Sequence, residues 1–152
     1  MTTAPTAELP AAFAELRDAF LEVPERDRLQ LLLEVSYELP PLPARYADAP
    51  ELLERVQECQ SPVYAFTEVD DAGVVAFHAT APEEAPTTRG FASILAQGLT
   101  GLTAQEVLDL PDDLPLMFGL TKSVSLLRLN GMAGMLTRAK RQVREQLAAR
   151  TV

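Results

Sequence analysis

Two short apolar runs, residues 63–69 and 74–79, are separated only by Asp70-Asp71-Ala72-Gly73. Both runs are rich in valine and aromatic residues, which suit a pleated, half-buried surface. Gly73 can supply the positive φ that a tight reversal needs. The pair therefore reads as a β-hairpin. Pro62 has no N–H to donate to a ladder, so it belongs at a strand start or edge. The hairpin thus begins just after Cys59 and fixes the loop that carries it.

On either side the apolar spacing changes to three and four residues. Leu9, Phe13, Leu16 and Phe20 predict an amphipathic helix over residues 9–21, with Pro10 tolerable in its first turn. Pro24 marks a break and the start of a second helix reaching Leu39. Leu29, Leu32, Leu33, Val35 and Tyr37 form its broad stripe, suited to burial. Pro40, Pro41 and Pro43 end it, and residues 40–50 read as a stiff connector. Residues 51–56 fit either a short helix or an edge strand. Residues 81–88 read as a loop, with Thr87 or Thr88 capping a helix through Phe91, Ile94 and Leu95. Gly98 and Gly101 are expected to close that helix. Thr103 and Glu106 match a capping box ahead of Val107, Leu108 and Leu110. Pro111 and Pro115 bracket a turn, and Met117, Phe118 and Leu120 are expected in the core. A last helix over residues 127–148 carries Leu129, Met132, Met135, Leu136, Ala139 and Val143 on its apolar side. Gly131 and Gly134 each weaken a helix by about 1 kcal/mol relative to alanine, which calls for close packing or a nearby loop.

A chain of 152 residues has the length of one ordinary domain and can bury roughly 68–70% of its unfolded surface. Residues 1–7 read as a disordered tail and residues 8–152 as a single domain. The net charge of −9 argues against nucleic acid as a partner. The charge is uneven: Lys122, Arg128, Arg138, Lys140, Arg141, Arg144 and Arg150 face only Glu145 in the final segment. Two readings stand: a basic helix lying across an acidic body, or a docking surface for an acidic partner. One cysteine excludes an internal disulfide and fits a reducing compartment. No basic and apolar leader opens the sequence, and no stretch approaches a membrane span. The expectation is a soluble, cytoplasmic protein that does not engage a membrane.

Cys59 lies between a charged approach (Glu51, Glu54, Arg55, Glu58) and the first strand. A free cysteine is often a small buried apolar residue. Gln57, Glu58, Gln60 and Ser61 instead favour a reactive thiol presented at a surface. His78 is the sole histidine, so no structural zinc set is expected, and it reads as a strand residue. A cysteine-hydrolase arrangement would have only His78 as its base. The scattered glycines form no phosphate loop, and Glu83-Glu84 and Asp112-Asp113 read as solvated loop charge. Arg128, ahead of Asn130-Gly131-Met132, is either a surface residue at a helix start or a cation that favours the thiolate.

Several of these stretches, in this order, resemble the SufE family of sulfur-acceptor proteins. They are Glu38-Leu39-Pro40, Cys59-Gln60-Ser61, the hairpin behind it, Arg89-Gly90-Phe91, the 102–107 segment, and Arg128 with Asn130-Gly131-Met132. Glu58 stands where the family usually has glycine, and Tyr64 where tryptophan is common. The resemblance implies an α+β fold of the SufE/NifU type, a small antiparallel sheet packed by helices. It implies that Cys59 takes persulfide sulfur from a cysteine desulfurase and passes it to an iron–sulfur scaffold complex. The pyridoxal phosphate belongs to that partner, and the chain needs no cofactor beyond the covalent persulfide. Gln60, Ser61 and Arg128 become candidate partner-binding residues. The protein is then a carrier and desulfurase activator rather than a stand-alone enzyme. Cluster scaffolds hold several cysteines, so a single one speaks against that role. A thiol redox sensor and a non-catalytic adaptor are the alternatives.

Overall fold

A computed structural model describes residues 9–150; the tail expected over residues 1–7 lies outside the described residues. The chain forms α1 (Ala11–Glu22), α2 (Arg28–Ser36), α3 (Ala44–Ala47), β1 (Glu54–Arg55), β2 (Tyr64–Val69) and β3 (Val75–Thr80). There follow α4 (Pro86–Leu99), α5 (Ala104–Leu108) and α6 (Leu126–Arg150). Short 3-10 turns at Glu25–Asp27, Pro50–Leu52 and Leu114–Phe118 complete it. The class is α+β: a three-stranded antiparallel sheet in the order β1-β2-β3, packed by helices.

The sheet alternates as a half-buried sheet must. Ala65, Thr67 and Val69 of β2 and Val75, Phe77 and Ala79 of β3 face inward. Helix α4 packs against β3, α6 against β2, and the two helices meet each other. The core is one contiguous cluster that includes Phe13, Phe20, Leu32, Phe91, Phe118 and Met135. On the outer face, Glu68 gathers three partners. Tyr46 Oη donates to it at 2.9 Å, His78 Nε2 lies 2.9 Å away, and Arg45 pairs with it. That cluster pins the short α3 to the sheet, and His78 is a strand residue within it.

β1 covers only the first two residues of β2. Past that point β2 would present a bare edge. Side chains of α6 seal it: Gln142 Oε1 accepts from Thr67 N at 2.8 Å, and Gln146 Oε1 from Val69 N at 2.9 Å. Gln146 Nε2 returns a hydrogen bond to Thr67 O at 2.6 Å, and Arg150 donates to Val69 O.

Several boundaries differ from expectation, each for a local reason. The second helix begins with the 3-10 turn after Pro24 and stops at Ser36. Leu29 and Tyr37 do not face the core; Tyr37 is 77% exposed. The connector at residues 40–50 contains α3, because Pro43 leaves a helical turn free to start behind it. Residues 51–56 are both alternatives in succession, a 3-10 turn and then an edge strand. Helix α4 starts at Pro86, with proline in its first turn, so Thr87 and Thr88 lie inside it and cap nothing. Gly98 does not end α4. It is a packing site where a Cβ would run into the Phe13 ring, and Gly101, at φ +99°, makes the exit. The capping box at Thr103 and Glu106 is present as expected.

Candidate functional site

Cys59 sits on the connection between β1 and β2. Val56 N donates to Val63 O at 2.8 Å and closes the base of that connection. Inside it, Cys59 N donates to Val56 O at 3.2 Å. Gln57, Glu58 and Gln60 are exposed, whereas Cys59 points inward and is 7% exposed. The surface thiol expected from its polar neighbours is thus corrected. Alternation along the loop sends those neighbours outward and the sulfur in.

The floor beneath the sulfur is α6. A Cβ on Gly131 would stand 2.9 Å from Cys59 Sγ, and one on Gly134 would stand 2.7 Å from the Glu58 carboxyl carbon. The two helix-weakening glycines thus make room for a nearby loop, as their cost required. Two α6 arginines hold the acids that flank the loop. Arg138 donates to Glu58 and places Nε 3.1 Å from Glu54 Oε2; Arg141 donates to the same Glu54 oxygen. Gln142 Nε2 donates to Glu54 Oε1 at 3.2 Å. Lys140 also pairs with Asp112 at 2.9 Å. The final helix does lie across an acidic body, on the side of the sheet that carries the thiol.

Above Cys59 opens a polar cleft of about 270 Å³. The loop contributes Gln60 and Ser61, α4 contributes Thr88, Ser125 lines it from just before α6, and the start of α6 contributes Leu127 and Arg128. The three residues expected from sequence to contact a partner therefore share one cleft with the thiol. Leu126 and Leu127 stand exposed beside it. Clefts of about 390 and 510 Å³ run along α2 and the start of α4, but they bring no nucleophile together with a polar cradle. Arg89, in the larger of them, is structural: it donates to Ser36 O at 3.1 Å and Ala81 O at 2.8 Å.

The electrostatics decide between the two readings of Arg128. Burial pushes the Cys59 thiol up from its ordinary value, and the Glu58 carboxylate adds to the rise. The cations that oppose this are Arg138 and Arg55, not Arg128. Arg128 lies exposed at the cleft, and its charge does not produce a thiolate at rest. Glu54 behaves oppositely. Its partial burial disfavours charge, but hydrogen bonds from Arg141 and Gln142 and the fields of Arg141 and Arg138 outweigh that and hold its carboxyl below the usual range.

Sequence reasoning missed Arg138, Thr88 and Ser125. Arg138 had a readable signal: it follows Gly134 by four residues and shares its helix face. Thr88 and Ser125 had none, since only tertiary packing brings them to the cleft. Among the described residues, no group of three or more His, Cys, Asp or Glu side chains is placed to hold a metal ion. No helix there is long and apolar enough to cross a membrane.

The SufE family model, described as an Fe-S metabolism associated domain, matches residues 14–143. An uncharacterized SufE-like protein of Mycobacterium tuberculosis is 49% identical over 143 residues, which cover 94% of this chain and 98% of that protein. SufE-like protein 1 of Arabidopsis thaliana, chloroplastic/mitochondrial, is 29% identical over 133 residues, covering 87% of this chain and 34% of the plant protein. The solution structure of a hypothetical protein from Thermus thermophilus shares the fold with a TM-score of 0.77. It is 34% identical, and the match covers 93% of this chain and 99% of that one. A family match over most of the length and a near-full-length relative agree with the thiol loop, the hairpin and the long final helix: the chain belongs to the SufE family, whose domain is associated with Fe–S metabolism.

Proposed function

We propose that this protein is a sulfur acceptor and carrier for iron–sulfur cluster assembly, with Cys59 as the nucleophile and then the carrier. The donor is the persulfide of a pyridoxal-phosphate-dependent cysteine desulfurase, and the recipient is an iron–sulfur scaffold complex. The observation that carries this reading is the storage of the chain's one thiol beneath a short loop, over a glycine, at the floor of a polar cleft. A persulfide is easily lost to small reductants and oxidants, so a carrier benefits from shelter between encounters.

The chemistry balances without an external oxidant. The Cys59 thiolate attacks the outer sulfur of the donor's protonated persulfide, a new S–S bond forms at Cys59, and the donor's S–S bond breaks. The donor cysteine leaves as a thiolate, and the sulfane sulfur remains as Cys59–S–SH. Because burial raises the thiol's pKa, attack requires the loop to move out of its slot first. Gln60, Ser61 and Arg128, together at the cleft, are the side chains we assign to contact with the partner. A peroxide sensor would want an exposed, acidic thiol, and the resting site has neither property.

The test is intact mass after incubation with a cysteine desulfurase, pyridoxal phosphate and cysteine. The wild type should gain one sulfur atom that a reductant removes, and Cys59→Ser should gain none. No gain in the wild type with several active desulfurases would sink the carrier reading.

A further inference from the structure

The loop is tied to the body of the protein very unevenly. Among the described residues, the side chains of Gln57, Gln60 and Ser61 make no hydrogen bond or ion pair, whereas Glu58 pairs with Arg138. The geometry of α6 is cut to receive that one side chain. Gly131, Gly134 and Arg138 are spaced three and four residues apart and so share a helix face. Gly131 takes the sulfur, Gly134 takes the Glu58 carboxyl group, and Arg138 donates to it. Arg138 is anchored from its other side by Glu54 and is 16% exposed, so it is a fixed cation rather than a waving one.

We infer that Glu58 is the positioning residue of the thiol: its ion pair with Arg138 over Gly134 latches the loop shut and sets how often Cys59 is presented. This deepens the carrier reading, on which its purpose rests. The latch and the thiol's chemistry are coupled. While the loop is shut, burial and the adjacent carboxylate both keep the sulfur protonated. When the latch opens, the sulfur leaves the apolar slot, and the larger of those two influences is lost. A thiol that is inert at rest thereby becomes nucleophilic only while presented.

The test uses the full chain and no desulfurase. The rate of Cys59 alkylation by iodoacetamide, an uncharged probe, is followed against pH. The high-pH plateau reports the open population when reclosing is faster than alkylation, and the midpoint reports the charge around the sulfur. Glu58→Ala should raise the plateau roughly two- to fivefold, the range of a partly exposed ion pair, and should lower the midpoint. Glu58→Gln keeps the side chain's shape and should do the same more weakly. In about 1 M salt, where the screening length is roughly 3 Å, the wild-type plateau should rise toward that of the variants. The variants themselves should not respond to salt. Circular dichroism establishes that each variant is folded; if Glu58→Ala is not, Glu58→Gln and the salt response of the wild type decide. A plateau unchanged by substitution, or an equal salt response in wild type and variants, overturns the latch. Failure of the sulfur-gain experiment alongside altered alkylation would instead remove the carrier reading and leave the latch standing.

Discussion

At one end of β2 the chain reverses through Asp70-Asp71-Ala72-Gly73; at the other it arrives from the loop that carries Cys59. The first reversal is pinned by its own aspartate and by the segment after α4, whose Ala104 N donates to Gly73 O at 3.0 Å. Asp70 Oδ1 accepts from Ala72 N and Val74 N, both at 2.9 Å, and Gly73 takes φ +81°. The second is closed locally only at its base, where Val56 N meets Val63 O; its thiol and acidic side chains are held from far along the chain, by a glycine slot and arginines on α6. A turn tied by its backbone into the sheet and into the segment after α4 opens only when they open. A loop docked onto a distant helix can open by itself, with the rest of the fold intact. The thiol sits on the second kind.

The sharpest way to break this contrast is Gly131→Ala. The new methyl would meet Cys59 Sγ at 2.9 Å, and the loop is the partner free to give way. Overpacking of this kind costs about 1–3 kcal/mol; here it should appear as a rise in iodoacetamide reactivity, with the urea midpoint close to that of the wild type. Gly73→Ala is the mirror experiment. A Cβ there meets nothing within 4 Å, so only the left-handed backbone resists. The expected loss is roughly 1–2 kcal/mol of global stability in urea unfolding, with Cys59 alkylation in the folded protein unchanged. Asp70→Ala should act in the same global sense but more weakly, by about 0.5–1.5 kcal/mol. If either turn variant accelerated alkylation as much as Gly131→Ala, the two ends of β2 would not be independent.

The smallest effect is that of acid. Glu54, held below its ordinary pKa by Arg141, Gln142 and Arg138 despite its partial burial, stabilises the fold above the unfolded carboxylate pKa. That contribution is lost as pH falls through the lower folded value. Its side chain is 37% exposed, so solvent screening keeps the contribution below about 1 kcal/mol. The difference in urea stability between wild type and Glu54→Gln should shrink between about pH 5 and pH 3. A constant difference would mean that the anchor works through shape rather than charge.

What is legible in the sequence follows the same division. The 70–73 turn, the capping box at Thr103 and the apolar spacing of the long final helix are encoded within a few residues, and each stands where expected. Thr87 and Thr88 mislead as caps of α4 because Pro86 competes for the same first turn. Gly98 misleads because a helix end and a helix–helix contact both call for glycine. The thiol's position at the site is legible, but its burial is not. Polar neighbours describe one face of a loop, and the other face is decided by Gly131, far along the chain. Arg128 does stand in the thiol's cleft, but the cations whose field reaches the sulfur are Arg138 and Arg55.

The glutamine seal on β2 bears on the order of events during synthesis. Gln142 and Gln146 reach Thr67 and Val69 from a helix that emerges from the ribosome long after the strand does. At ordinary elongation rates the delay is on the order of seconds. Throughout it the strand's open side can pair with another nascent strand, and the slot for the sulfur has not been made. The last helix thus arrives as a lid for the sheet and a seat for the thiol at once, so the Cys59 side chain is not sheltered before the sheet is protected.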